Sequence, residues 1–146
     1  MIVMKNAYEE ILLQTPSHMP ETGGIIGGNN GVVTEVIFDN GKVNDGCKCR
    51  YSPDVNLMNK CIADWRENGI DFYGMFHSHF YDVSTLSKGD ISYIKMIMNS
   101  MPEEVSRLYF PIVVFPKKEI VSYLCIRDRD GIHIKEDSVS ISRTQF

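Results

Sequence analysis

No run in this 146-residue sequence approaches the roughly 18 apolar residues that a membrane-spanning helix needs. The longest apolar stretches are the strand-like 108–115 and the interrupted stripe from Ile91 to Met98. Positive charge is also scarce: 15 Lys and Arg stand against 19 Asp and Glu, a net charge of −4. That balance lacks the basic footprint of non-specific nucleic-acid binding, and an anionic membrane surface would repel it. The opening Met1-Ile2-Val3-Met4-Lys5 turns polar too soon for the apolar region of a signal peptide, so the expected compartment is the cytoplasm. Cysteine is sparse, four in all, and the spacing forms no disulfide framework; reduced structural thiols are expected. The pair Cys47 and Cys49 suits a soft metal but has no second pair to close a structural zinc site.

What is present is ordinary for a globular chain, with 43% hydrophobic and 23% charged residues. Ala7, Tyr8, Ile11 and Leu12 predict a helix over 5–14, stopped at Thr15-Pro16. Gly23-Gly24-Ile25-Ile26-Gly27-Gly28 reads as a buried strand that another group approaches closely. Asn29-Asn30-Gly31 then predicts a hairpin turn into a strand over 32–38. Turn signals follow at Asp39-Asn40-Gly41 and Asn44-Asp45-Gly46.

A helix is expected to start at Ser52-Pro53-Asp54, with Pro53 at its first position, and to present Leu57, Cys61, Ile62 and Trp65 before ending at Asn68-Gly69. A strand over 71–77, a loop over 80–86 and a helix over 87–100 come next, the helix carrying Ile91, Ile94, Ile97, Met98 and Met101. Strands are expected at 108–115, 119–127 and 132–135, with Pro111 marking an edge or a bulge in the first. The tail 136–146 reads as an edge strand or a mobile end. The whole, residues 1–146, is one α/β or α+β domain.

The candidate chemistry lies in two short motifs. His77 and His79 stand two apart at a strand end, so both imidazoles face the same way and can converge on one point. After seven intervening residues, Ser87-Lys88-Gly89-Asp90 is by itself a helix capping box. With 12 serines and 10 aspartates, though, a Ser-x-x-Asp at one prescribed offset arises by chance on the order of once in 200. The two roles are compatible. Two imidazoles and one carboxylate make a three-ligand zinc site with a fourth position left for water, the pattern of a catalytic centre. Glu21, at the head of the glycine-rich strand, is the candidate general base for a water whose pKa zinc lowers to about 7. Trp65, Tyr73 and Phe76 read as core, Met96, Met98 and Met101 as core or interface filling, and Phe80 and Tyr81 as candidate lining of a substrate groove.

Glu21, then His77-Ser78-His79, seven residues, and Ser87-Lys88-Gly89-Asp90 resemble the JAMM motif of the JAB/MPN zinc metalloproteases. The resemblance extends over residues 1–135 in its order of elements. It implies zinc ligation by His77, His79 and Asp90, Glu21 as the base, and Ser87 as hydrogen-bond donor to the oxyanion. It also implies a curved mixed β-sheet flanked by helices, akin to cytidine deaminases. The implied activity is hydrolysis of peptide or isopeptide bonds after the C-terminal glycine of ubiquitin or ubiquitin-like proteins. Phe80 stands where the family usually has proline, and the chain's shortness favours a compact, prokaryotic-type form acting on ubiquitin-like or sulfur-carrier proteins. Two other readings make different demands: a metal-free interaction scaffold would show lost ligands, and a nucleobase deaminase would need a Pro-Cys-x-x-Cys segment, which is absent here.

Overall fold

The computed structural model describes residues 1–41 and 51–143. Cys47, Cys49 and the turn signal at 44–46 lie outside them. Eleven elements follow in chain order: β1 (Ile2–Met4), α1 (Lys5–Gln14), β2 (Gly23–Asn29), β3 (Val32–Asp39), α2 (Val55–Glu67), β4 (Asp71–His79), α3 (Lys88–Ser100), β5 (Arg107–Val114), β6 (Glu119–Asp128), β7 (Gly131–Asp137) and β8 (Ser140–Ser142). The strands form one mixed eight-stranded sheet in the order β7-β6-β5-β4-β2-β3-β1-β8. Pairing is parallel for β1 with β3, β1 with β8 and β4 with β5, and antiparallel elsewhere. Register shifts at Gly27 on both sides of β2 bend the sheet where glycine leaves room.

Alternation along the strands sends neighbouring residues into two cores. Ile26 and Phe76 pack with Ala7 and Ile11 of α1, while Ile25 and Met75 pack with Met58 and Trp65 of α2 and Ile94 and Met98 of α3. The helices therefore cover both faces, α1 on one and α2 with α3 on the other. His77 and His79 share the parity of Met75, which turns them toward the α2–α3 side.

Several expectations need correction. Pro111 lies in a central strand without a bulge; β5 sits between β4 and β6. The position is tolerated because the β4–β5 ladder has a gap between the pairs Gly74↔Tyr109 and His77↔Ile112, where the missing N–H is not needed. Pro53 precedes α2 rather than opening it. Asp54 is the N-cap and accepts the Leu57 N–H at 3.3 Å. The buried stripe of α2 is accordingly rotated: Met58 is 5% exposed and Leu57 44%. Met96 points outward while Met98 is fully buried. Asn30 and Gly31 both take positive φ, as a two-residue hairpin turn requires. The tail adds β8 beside β1. Cys61 and Cys125 are free thiols. No helix among the described residues is long and apolar enough to cross a membrane.

Candidate metal centre

β4 is flanked by β2 and β5, so its end holds the histidine pair on a rigid platform. The two imidazoles meet edge to face, ring centroids 4.6 Å apart at 72°, with Nε2 of one 2.9 Å from Nε2 of the other. Nδ1 of His79 lies 3.1 Å from the Val83 carbonyl, which only accepts. That contact places a hydrogen on Nδ1 and turns Nε2 toward His77 and Asp90, where it donates to the carboxylate when the ring is protonated and offers a lone pair to an ion when the ring is neutral.

α3 brings the third group. Ser87 caps it: its Oγ accepts the Asp90 N–H at 3.0 Å, and the Asp90 carboxylate accepts the Ser87 N–H at 2.9 Å. The same carboxylate reaches the imidazoles, with Oδ1 3.3 Å from Nε2 of His77 and Oδ2 3.2 Å from Nε2 of His79. Capping and site geometry are thus carried by one side chain at once.

Glu21 arrives from the loop before β2. One ligand atom each from Glu21, His77 and His79 lies within 4.8 Å of the other two, a group that could hold a metal ion. The histidine pair is therefore shared between two carboxylates. The loop is tied to β4 through buried Ser78, whose Oγ accepts the Thr22 N–H at 3.0 Å and whose own N–H reaches the Thr22 carbonyl at 2.8 Å. Tyr51 and Glu21 line one cleft.

The two carboxylates differ in character. Burial raises the Glu21 pKa, against the attraction of His77 and His79. Burial acts the same way on Asp90, but hydrogen bonds from His77 and His79 outweigh it and hold that carboxyl far below the usual range. For His79, burial opposes the charged ring, yet the hydrogen bond and charge of Asp90, with Glu21 and the Val83 carbonyl adding, raise its pKa.

Whether this donor set fits zinc is a matter of distances. Bonds of about 2.0–2.1 Å at the tetrahedral angle put neighbouring donors about 3.3 Å apart. The three contacts among His77, His79 and Asp90 run from 2.9 to 3.3 Å, a slightly contracted version of that arrangement. The residues fit the ion in both chemistry and spacing.

The cluster opens into a cleft of about 510 Å³ with a largely apolar wall that includes Met19, Tyr51, Tyr81, Leu86 and Tyr93; Ser87 also lines it. Phe80, at the usual proline position, stacks on Phe115 with centroids 6.0 Å apart. Tyr81 and Asp82 then take φ of 58° and 56°, and the Asp82 N–H reaches the Phe115 carbonyl at 2.8 Å. Tyr81 is left 84% exposed at the mouth. Sequence reasoning missed Ser78, Tyr51 and the Val83 carbonyl as parts of the site. Ser78 stood in plain view between the histidines, whereas Tyr51 carried no sequence signal. His133 lies 3.2 Å from Asp128 on the surface, away from the cluster.

No protein-family model and no curated protein matches the sequence. Solved structures do match. Protein DSY2949 from Desulfitobacterium hafniense is similar at 24% identity, covering 99% of this chain and 94% of that one, with a TM-score of 0.67. AF2198, a JAB1/MPN domain protein from Archaeoglobus fulgidus, is similar at 18% identity over 97% and 98% of the two chains, TM-score 0.54. A structure described as a JAMM metalloprotease-like zinc site in the proteasome and signalosome is similar at 18% identity over 98% of each chain, TM-score 0.55. The chain has the fold of the JAB1/MPN domain proteins, with a group of metal-binding side chains at the end of its central strand.

Proposed function

We propose that the chain is a zinc-dependent peptidase or isopeptidase that cleaves after the C-terminal glycine of a ubiquitin-like or sulfur-carrier protein. The observation that carries the reading is the convergence of two imidazole nitrogens and the Asp90 carboxylate at 2.9–3.3 Å on the floor of an open cleft. His77, His79 and Asp90 would hold the ion. When bound, zinc would supply Lewis-acid activation of a water and of the scissile carbonyl.

The division of labour between the carboxylates follows from their surroundings. Asp90, kept ionised by the imidazoles, suits a permanent ligand. Glu21, its pKa raised by burial, is the better proton carrier: it takes a proton from the attacking water and delivers it to the leaving amine. Ser87 Oγ accepts the Asp90 N–H, which leaves its own hydrogen to donate to the oxyanion. Apolar walls and exposed Tyr81 present a surface for the segment leading to the scissile bond.

The test is incubation of zinc-loaded protein with glycine-ending ubiquitin-like fusions, products being read by mass. Glu21→Gln is expected to keep its zinc and lose cleavage. Undiminished cleavage by that variant would sink the assigned mechanism, and purified protein that takes up no zinc would favour a scaffold.

A further inference from the structure

We propose that Tyr123 and Asp82 are positioning residues for His79, clamping from either side the Val83 carbonyl that meets its Nδ1. The proposal rests on the metal-ligand role given to His79 above. An imidazole that ligates through Nε2 is oriented by whatever accepts its Nδ1–H, and here that acceptor is the Val83 carbonyl at 3.1 Å. Val83 lies in the stretch between β4 and α3, which no helix or strand ladder holds. Within that stretch the Val83 N–H reaches the Phe80 carbonyl at 3.2 Å; its anchors lie outside it. Tyr81 and Asp82 just before it both take left-handed φ, 58° and 56°, which a tyrosine in particular does not hold unaided. What anchors Val83 is therefore what aims the ring.

The anchors come from β5, β6 and the turn that joins them. On the N-terminal side of Val83, the Asp82 N–H reaches the Phe115 carbonyl at 2.8 Å, and the Asp82 Oδ1 accepts the Lys117 N–H at 3.2 Å. On the other side, the Tyr123 hydroxyl of β6 donates to the Ser84 carbonyl at 2.8 Å. That carbonyl belongs to the peptide unit next to the one carrying the Val83 oxygen. With Asp82 and Ser84 both fixed, the Val83 carbonyl between them has little freedom to turn away from the ring. The hairpin is itself registered on the histidine strand: β5 pairs with β4 at His79↔Val114, and the Phe115 N–H reaches the His79 carbonyl at 2.9 Å. Ring and clamp thus share one frame. Burial raises the Tyr123 phenol pKa, so its hydroxyl remains a donor. The Tyr123 ring packs, partly buried, against the core that includes Ile94 and Met98 of α3, a role that phenylalanine fills equally. The hydroxyl is the part that reaches the site.

Tyr123→Phe removes the hydroxyl and keeps the ring; Asp82→Gly removes the side-chain acceptor at a φ that glycine adopts freely. Each is expected to weaken zinc binding about tenfold, read by competition with a chromophoric chelator, as loss of support to a ligating histidine does. Asp82→Asn keeps an acceptor oxygen and should bind zinc within about twofold of the wild type. Tyr73→Phe removes a hydroxyl that accepts the Gly31 N–H at 3.0 Å in the β2–β3 turn, and should leave zinc affinity unmoved. The His79 Nδ1–H proton, followed by proton–nitrogen NMR in the zinc-loaded protein, gives a second readout. It should exchange with solvent about fivefold faster in Tyr123→Phe and Asp82→Gly, the effect of one hydrogen bond on local opening, and at the wild-type rate in Tyr73→Phe. If the wild type takes up zinc but cleaves nothing, the functional reading fails while both readouts still decide the clamp. If it takes up no zinc, the same proton, followed in the metal-free protein with the ring protonated, decides the clamp alone. Unchanged exchange of the His79 proton in either variant overturns the proposal. So does faster exchange with zinc affinity unchanged, or an equal loss of affinity in Tyr73→Phe.

Discussion

Ser87 carries two assigned tasks that substitution can separate. Its Oγ accepts the Asp90 N–H at 3.0 Å as the cap of α3, and its hydrogen is assigned to the oxyanion. In Ser87→Ala both are lost. An N-cap replaced by alanine costs about 1 kcal/mol, which for a domain of this size lowers Tm by about 3 °C. Loss of the oxyanion donor costs about 3 kcal/mol in the transition state, on the order of a hundredfold in kcat. Glycine at an N-cap costs only a few tenths of a kcal/mol, so Ser87→Gly should lower Tm by about 1 °C yet lose as much kcat as alanine. Thermal melts monitored by circular dichroism, set beside steady-state cleavage of a glycine-ending fusion at matched zinc occupancy, read the two effects separately. Cleavage by Ser87→Gly within threefold of wild type would refute the oxyanion role. An unshifted Tm in Ser87→Ala would refute the capping argument.

Further outcomes follow from other parts of the structure. In metal-free protein the Asp90 carboxyl has a depressed pKa, so its stabilising contribution is complete above the unfolded value of 3.8 and is lost as pH falls below it. Asp90→Asn should therefore flatten the acid limb of stability measured by urea melts, and an unchanged limb would contradict the ion contacts with His77 and His79. Tyr81→Ala should raise KM several-fold with no change in Tm, because the side chain is 84% exposed at the cleft mouth; unchanged kinetics would remove it from the substrate surface. Gly74 has φ of 142°, and a Cβ there would lie 1.7 Å from the Tyr109 carbonyl oxygen. Gly74→Ala is expected to cost about 3 kcal/mol or more, and a denaturant midpoint close to wild type would refute that packing.

The parts of the site that were legible are those carried by local spacing. His77, His79, Ser87 and Asp90 span fourteen residues, one strand end and one helix start, so periodicity and capping rules reach them. Glu21 is distant in the chain and arrives through the pairing of β2 with β4, which only the glycine-rich strand hinted at. Asp82 and Tyr123 were illegible because their bonds join the loop after His79 to a hairpin that lies far along the chain. Pro111 misled because a gap in one ladder, invisible in sequence, removes the usual penalty of proline in a central strand. The loop after His79 lacks the expected proline, yet stacking of Phe80 on Phe115 and the bond from Asp82 to the Phe115 carbonyl hold it, and Val83 still meets His79.

The most direct measurement is an anomalous difference map at the zinc absorption edge from crystals of the full chain grown with zinc. One peak bonded to Nε2 of His77, Nε2 of His79 and the Asp90 carboxylate, at about 2.0–2.2 Å from each and absent in His79→Ala, is the predicted result. A site without a peak, or a peak held by Glu21 in place of Asp90, would contradict it.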